Sequence, residues 1–247
     1  MVKIHPTAIV SDSAIIGTNV SIGPYSIIYD NAFIGENSVI EAYCQIGYPS
    51  IISDNDIAPT YIGNNSLIRS NTTIYHSAEL GDNLTTGHNV IVRENTHAGC
   101  YFQIGTFTEI QGDCEIGNYV RFQSNIFIAK KTIIKDFVWI LPNVTITNDP
   151  TPPSDNLIGC LIDDYAVICS GSLILPGLTI GKGSVVGALS CVTKNVRDGF
   201  CVLGNPAKET KEANKIIKKD LSGLPAYPWT NHFNRGYPGN ITMNWNK

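Results

Sequence analysis

Four side chains in the middle of this 247-residue chain have the chemistry to move a proton or hold a reacting group: His88, Glu94, Glu109 and Asn125. A His or a carboxylate can accept the proton that an attacking nucleophile loses. An Asn amide can orient that nucleophile or steady an oxyanion. Their spacing is regular. Ser70, His88, Thr106, Ser124 and Pro142 recur every 18 residues, as do Asn71, Asn89, Phe107, Asn125 and Asn143, and His76 stands 18 before Glu94. In a chain that coils with this period, such residues lie one above another at roughly 4.8 Å, the spacing of hydrogen-bonded strands. Plainer readings stand beside these. A His in a turn can be a surface hydrogen-bonder, an Asn ladder can be structural, and Glu109 can pair with a neighbouring cation. His5, His97 and His232 carry no comparable argument.

The coil itself is visible in the sequence. Every sixth residue from Ile62 to Ile146 is large and apolar, except Thr86 and Ala98. The same phase runs from Ile4 to Ile52 and from Ile162 to Val192. Gly often follows the apolar position, as at Gly63, Gly81, Gly105 and Gly117, and the fourth position after it is small or β-branched. An α-helix needs apolar residues every three or four positions and a strand needs alternation, so neither fits. A unit of short strand plus turn, three to a coil, does fit, and stacked coils share one core. The fold class is therefore an all-β solenoid, a parallel β-helix of about ten coils. The phase slips by four within 53–61 and again within 147–161, which predicts two external loops. The second contains Asn148, Asp149 and three prolines, which would stiffen it.

After Val192 the repeat stops. The reading places the solenoid domain at 1–196 and a turn, helix and aromatic tail at 197–247. Residues 209–221 are Lys-rich, with Ile216, Ile217 and Leu221 spaced for one helical face, and a helix there would cover the open end of the solenoid. Formal net charge is −4 with pI near 5.7, which lacks the basic footprint of a nucleic-acid binder. No stretch approaches the roughly 20 apolar residues that span a bilayer, and the first residues do not read as a signal peptide. Seven Cys without CxxC spacing read as buried reduced thiols. A cytoplasmic protein is expected.

Residues 86–94 (TGHNVIVRE), 108–116 (TEIQGDCEI), 122–126 (FQSNI) and 147–154 (TNDPTPPS) complete the picture. With the repeat over about 4–192, the chain resembles the hexapeptide-repeat, left-handed β-helix acyltransferases. These segments are similar to those of the nucleotide-linked amino-sugar N-acyltransferases within that family. The resemblance implies a left-handed coil and a homotrimer with active sites between neighbouring subunits. It also implies an acyl-CoA co-substrate, acetyl-CoA or another, lying along the later coils. The acceptor would be a dTDP- or UDP-linked amino-deoxysugar acylated at its 3- or 4-amino group for surface polysaccharide synthesis. The family's catalytic His would best match His88, although the amino-sugar group can rely on an Asn and carboxylates instead. In that frame His76, Asn148 and Asp149 are candidates for binding the sugar nucleotide, with the loop 148–155 reaching over a neighbour's site. Ala166, Ser170, Gly171 and Ala188 would leave room for the coenzyme's pantetheine arm, and Lys194 and Lys208 would meet its phosphates.

Other readings use the same coils. O-acetylation of a sugar or small hydroxylated acceptor is the nearest, and it would demand a true general base. A zinc site needs three converging His; His76, His88 and His97 share no column, and no metal is expected. A scaffold or ice-binding surface needs a flat Thr ladder, which Thr72, Thr96 and Thr108 do not form.

Overall fold

The computed structural model describes residues 1–50, 58–233, 237–243 and 245. Among them, twenty-nine short strands run from β1 (Lys3–Ile4) to β29 (Cys191–Val192), most of them two residues long. They sort in strict rotation onto three parallel sheets. Face 1 carries β1, β4, β7 and every third strand after them; face 2 starts at β2 (Ile9–Val10) and face 3 at β3 (Ile15–Ile16). Each strand pairs in parallel with the one a coil later, as Ile74 with Val92 and Ile91 with Glu109.

The side chain that points inward is the sixth-residue apolar one. Ile22, Ile28, Ile34, Ile40, Ile46, Ile62 and the rest form one continuous buried column through Val192. Thr86 joins it as a buried polar member and Ala98 packs at its side. A Cβ on Gly63 would lie 2.4 Å from the backbone of Asp82, so glycine there permits the close approach of successive coils.

The corners explain the asparagines. The third residue after most of the apolar ones takes a positive φ, among them Asn65, Asn83, Asn89, Asn125 and Asn143 at +55° to +62°. Asn tolerates this left-handed region better than other side chains with a Cβ, because its amide hydrogen-bonds locally. Successive corners also tie to one another. Asp82, Asn118 and Asp136 each accept a hydrogen bond from a backbone N–H of the coil below, at 2.6–3.0 Å. Aromatic corner residues stack: Tyr101, Tyr119, Phe137 and Tyr165 lie 4.9 Å apart ring to ring, which is the coil rise.

Two expectations change here. Residues 209–221 do not form a helix. Instead β30 (Phe200–Gly204) continues face 1 and turns back as β31 (Ala207–Glu212), its antiparallel partner. A single turn of 3-10 helix follows at Ala213–Lys215, Ile217 bridges Pro225, and Leu221 is 99% exposed. The unpaired edge of face 1 offers backbone hydrogen bonds that an isolated helix over these residues would forgo. The first external loop, placed at 53–61, lies mostly outside the described residues; its end, Thr60 and Tyr61, belongs to β9 (Thr60–Ile62). The second loop is present, with irregular backbone from Asn148 to Cys160.

The tail folds back on face 1. Trp229 and Tyr237 are buried with Phe137, Val167, Val185, Cys201 and Ala213 in a second apolar cluster. Arg121 lies between the Trp139 and Tyr237 rings, 5.3 and 5.1 Å from their centroids, and its Nε donates to Tyr237 Oη at 3.0 Å. All seven Cys are free. Burial pushes the Cys44 and Cys114 thiols up to about 11, so they are packing groups rather than nucleophiles.

Candidate active site

The candidate residues separate onto two corners and the face between them. His88 and Asn125 stand on the corner joining faces 1 and 2. Both are exposed. The His88 backbone N–H donates to Thr106 Oγ1 at 3.1 Å. Asn125, φ +60°, donates from Nδ2 to Asn143 Oδ1 at 2.7 Å. It occupies the same left-handed corner as its neighbours in the ladder, and its amide is engaged along that ladder. The structure gives it a corner role.

Glu94 stands at the other edge of face 2, on the corner joining faces 2 and 3. His88 and Glu94 are six residues apart, so at most about 20 Å of chain separates the two corners. The two sets do not meet in one cluster within the chain. The second corner holds His76, Glu94, Lys130 and Asn148 in one column, 18 residues apart with Gly112 between Glu94 and Lys130. Glu94 is buried, yet charged. Its carboxylate takes Arg93 Nη2 at 2.9 Å, Arg93 Nε at 3.0 Å and Lys130 Nζ at 3.4 Å, and Lys130 continues to Asp113 at 3.3 Å. Burial pushes the Glu94 carboxyl up, but its own backbone N–H, Arg93 and Lys130 outweigh this and hold it below the ordinary carboxylate range. An inaccessible, ionised carboxylate positions cations; it does not relay protons.

His76 is likewise committed. Its Nε2 faces Ser50 Oγ at 2.5 Å and its Nδ1 faces Ser77 Oγ at 2.8 Å. Asn148 donates from Nδ2 to Lys130 O, and Ile158 N–H donates to Asn148 O, which closes the base of the loop. Asp149 accepts from Thr151 N, Ser154 N and Ser154 Oγ, so both its oxygens serve the loop's own turn. These contacts give Asn148 and Asp149 the task of shaping the loop.

Glu109 stands on a face of the solenoid. It lies on β17 (Glu109–Ile110), on the outer side of face 2, between Ile91 one coil below and Phe127 one coil above. Gln111 Nε2 donates to its Oε1. It is a half-buried carboxylate in an apolar row, aimed by an amide. Arg93, Lys130, Asp113 and Gln111 complete this region and were not singled out in the sequence. The 18- and 36-residue spacing from Glu94 to Lys130 and onward to Asn148 was the signal that could have found them.

The later coils carry the other candidates. Ala166 is fully buried in the apolar column, so it cannot line a coenzyme site. Ser170, Gly171 and Ala188 continue the corner of His88 and Asn125 toward the end of the solenoid, with Leu189 N–H donating to Ser170 O. Lys194 and Lys208 come together. Both line a cavity of about 310 Å³ between the last coil and the β30–β31 hairpin, with Thr193, Asn195 and Ala207. Among the described residues no group of His, Cys, Asp and Glu is arranged to hold a metal ion, and no helix is long and apolar enough to cross a membrane.

Residues 1–99 match the family model described as the GMPPB C-terminal domain. The fold aligns with that of Arabidopsis UDP-N-acetylglucosamine acyltransferase at TM-score 0.70, over 85% of this chain and 74% of that one, with 20% identity. A galactoside O-acetyltransferase of Lactococcus lactis is 30% identical over 106 residues, 40% of this chain and 51% of that protein. These likenesses show the fold, a hexapeptide-repeat left-handed β-helix, and the matched proteins are acyltransferases. The left-handed coil departs from the usual right-handed crossover of parallel strands. A Clostridium perfringens 2,3,4,5-tetrahydropyridine-2,6-dicarboxylate N-acetyltransferase is 43% identical over 67 residues, 27% of this chain and 28% of that protein. The chain spans about half or less of the length of these curated relatives.

Proposed function

We propose that this protein transfers an acyl group from acyl-CoA to the amino group of a nucleotide-linked amino-deoxysugar, as a cytoplasmic homotrimer serving surface polysaccharide synthesis. One observation carries the reading. Glu109 sets a Gln111-oriented carboxylate in the apolar row of face 2, between Ile91 and Phe127. A carboxylate there attracts an ammonium group and accepts its proton, leaving a neutral amine. The amine nitrogen attacks the thioester carbonyl carbon; the C–N bond forms and the C–S bond breaks. As the amide forms the attacking nitrogen sheds its second proton, which the leaving thiolate takes up, and Glu109 passes the first proton to solvent. The names of the relatives, N- and O-acetyltransferases and a UDP-N-acetylglucosamine acyltransferase, support this reaction class. The paired Lys194 and Lys208 would hold the phosphates of the coenzyme, with Ser170, Gly171 and Ala188 beside its arm.

The test is release of free thiol from acetyl-CoA with a panel of dTDP- and UDP-linked 3- and 4-amino-dideoxysugars. Turnover with at least one amino sugar supports the reading. The second reading, O-acylation, rests on the exposed His88, whose ring has no other described task. Silence across the amino panel, with turnover on hydroxylated sugars that His88→Ala abolishes, would replace the first reading by the second.

A further inference from the structure

On the corner joining faces 2 and 3, three side chains form a run of hydrogen bonds that acyl transfer at Glu109 does not use. Ser50 Oγ faces His76 Nε2 at 2.5 Å, and His76 Nδ1 faces Ser77 Oγ at 2.8 Å. His76 and Ser77 are each 5% exposed, while Ser50 is half-buried. The backbone holds the pair in place. His76 N–H donates to Tyr48 O at 3.0 Å, and Ser77 N–H donates to Ala58 O at 3.1 Å.

The partners fix where the protons sit. Ser77 Oγ accepts the Ala58 N–H at 3.0 Å and donates its own hydrogen to Ala58 O at 3.3 Å. A hydroxyl has one hydrogen and two lone pairs, so Ser77 has only a lone pair left for the ring. His76 Nδ1 therefore carries the hydrogen and donates it to Ser77. Nε2 is then the bare nitrogen, and the Ser50 hydroxyl donates to it. A hydroxyl bonded to a neutral imidazole, whose far nitrogen is held by a third group, is the arrangement that makes serine a nucleophile.

We infer that Ser50 and His76 form a second catalytic centre, a nucleophile and its base, which hydrolyses short-chain carboxylic esters through an acyl-serine intermediate. Ser50 Oγ attacks the ester carbonyl carbon while His76 Nε2 takes its proton. The new C–O bond forms, the bond to the alcohol oxygen breaks, and His76 gives the proton to the leaving alkoxide. Water then attacks the acyl-serine. His76 takes a proton from that water and returns it to Ser50 Oγ as the carboxylic acid leaves. An ester and one water thus become an acid and an alcohol. An alkoxide needs a proton to leave, and a thiolate does not, so a His that returns the proton suits an oxygen ester. Ser77 is the positioning residue that holds the ring in this tautomer. Tyr48 and Tyr75, near neighbours of Ser50 and His76 in the chain, line a cavity of about 220 Å³ with Gln45, Thr73 and Ile91, room for a short acyl group. The centre is distinct from Glu109, which stands two rungs of face 2, about 10 Å, above Thr73.

The test is reaction of the full-length protein with a fluorophosphonate probe, the adduct located by peptide mass spectrometry, beside hydrolysis of para-nitrophenyl acetate. The adduct is expected on Ser50. His76→Gln is expected to slow both labelling and ester hydrolysis about 10²-fold. Ser77→Gly suits the local φ of +59° and removes the hydroxyl, so it should lower kcat for the ester about 10-fold and leave KM unchanged. The adduct is read on the wild-type protein, so the result does not depend on a variant that folds poorly. Wild-type protein that stays unlabelled at Ser50, or ester hydrolysis that His76→Gln leaves unchanged, would overturn the inference. The three side chains would then be a clip that ties residues 50 and 58 to the corner.

Discussion

Glu94 and Lys130, two full coils apart in sequence, meet at 3.4 Å on one corner of the solenoid, and the Glu94 side chain is 1% exposed. The corner stacks residues 18 apart, so a contact across 36 residues is local in space. Arg93 and Lys130 are each about a third exposed, at 32% and 28% of their side chains. The buried anion therefore acts as a socket that holds two cations at the rim of face 2.

Removing that anion strands two cations on a partly dry corner. Loss of one partner of a buried pair costs about 3–5 kcal/mol when both are fully enclosed. With the cations partly solvated, Glu94→Gln is expected to cost about 2 kcal/mol. Urea melts followed by circular dichroism measure it. No change in midpoint would show that the network is decorative.

The same residue predicts an acid limb. The folded Glu94 carboxyl lies below its ordinary 4.5, so its contribution to stability is complete above that pH. It is lost as pH falls through the lower folded value. Wild type should lose stability more steeply than Glu94→Gln below about pH 4.5. Thermal melts from pH 3 to 6 of the two proteins decide it, and parallel curves would contradict the assignment.

Asn125 and Glu109 separate corner from chemistry. Asn125→Gly keeps a residue that accepts φ near +60°, so fold and turnover should both survive. Asn125→Ala should cost about 1 kcal/mol of stability with little change in kcat. Glu109→Gln should instead lower kcat by about 10²–10⁴ while melting like wild type. A dead Asn125→Gly enzyme would restore the Asn to the reacting centre.

At the far end of the solenoid, Lys194 and Lys208 share a cavity. The double change to Ala should raise the KM for acetyl-CoA at least 10-fold, worth about 1.4 kcal/mol, and leave the KM for the sugar nucleotide alone. The effect should shrink in high salt, as a phosphate contact does. Equal effects on both substrates would place the cavity elsewhere in the cycle.

The tail makes a structural prediction. Trp229 is buried against Trp139, ring centres 5.8 Å apart. Trp229→Ala should cost about 3–5 kcal/mol, as truncation of a buried aromatic does. An unchanged melting temperature would show that the tail only rests on face 1.

The sequence carried the coil closely. The apolar sixth position from Ile22 to Val192 is buried almost without exception, because a period of six over ten coils leaves no other way to hide it. Column arithmetic also held, since His76, Glu94, Lys130 and Asn148 do stack. What it did not give was which column lies on a corner and which on a face. The positive φ of the corner residues is set by the coil geometry and leaves no mark on spacing alone. Ile216, Ile217 and Leu221 misled for another reason. Their helical spacing is real, but the free edge of β30 competes for the preceding backbone, and a long-range strand won over a local helix.

The central claim is amide formation. The measurement is the product of acetyl-CoA and a dTDP- or UDP-linked amino-deoxysugar, read by mass spectrometry before and after hydroxylamine. A product one acetyl group heavier that survives hydroxylamine, and is absent with Glu109→Gln, is what the arrangement on face 2 predicts. An acetyl group that hydroxylamine removes, or transfer only to sugars lacking the amine, would make this protein an O-acyltransferase and Glu109 a bystander.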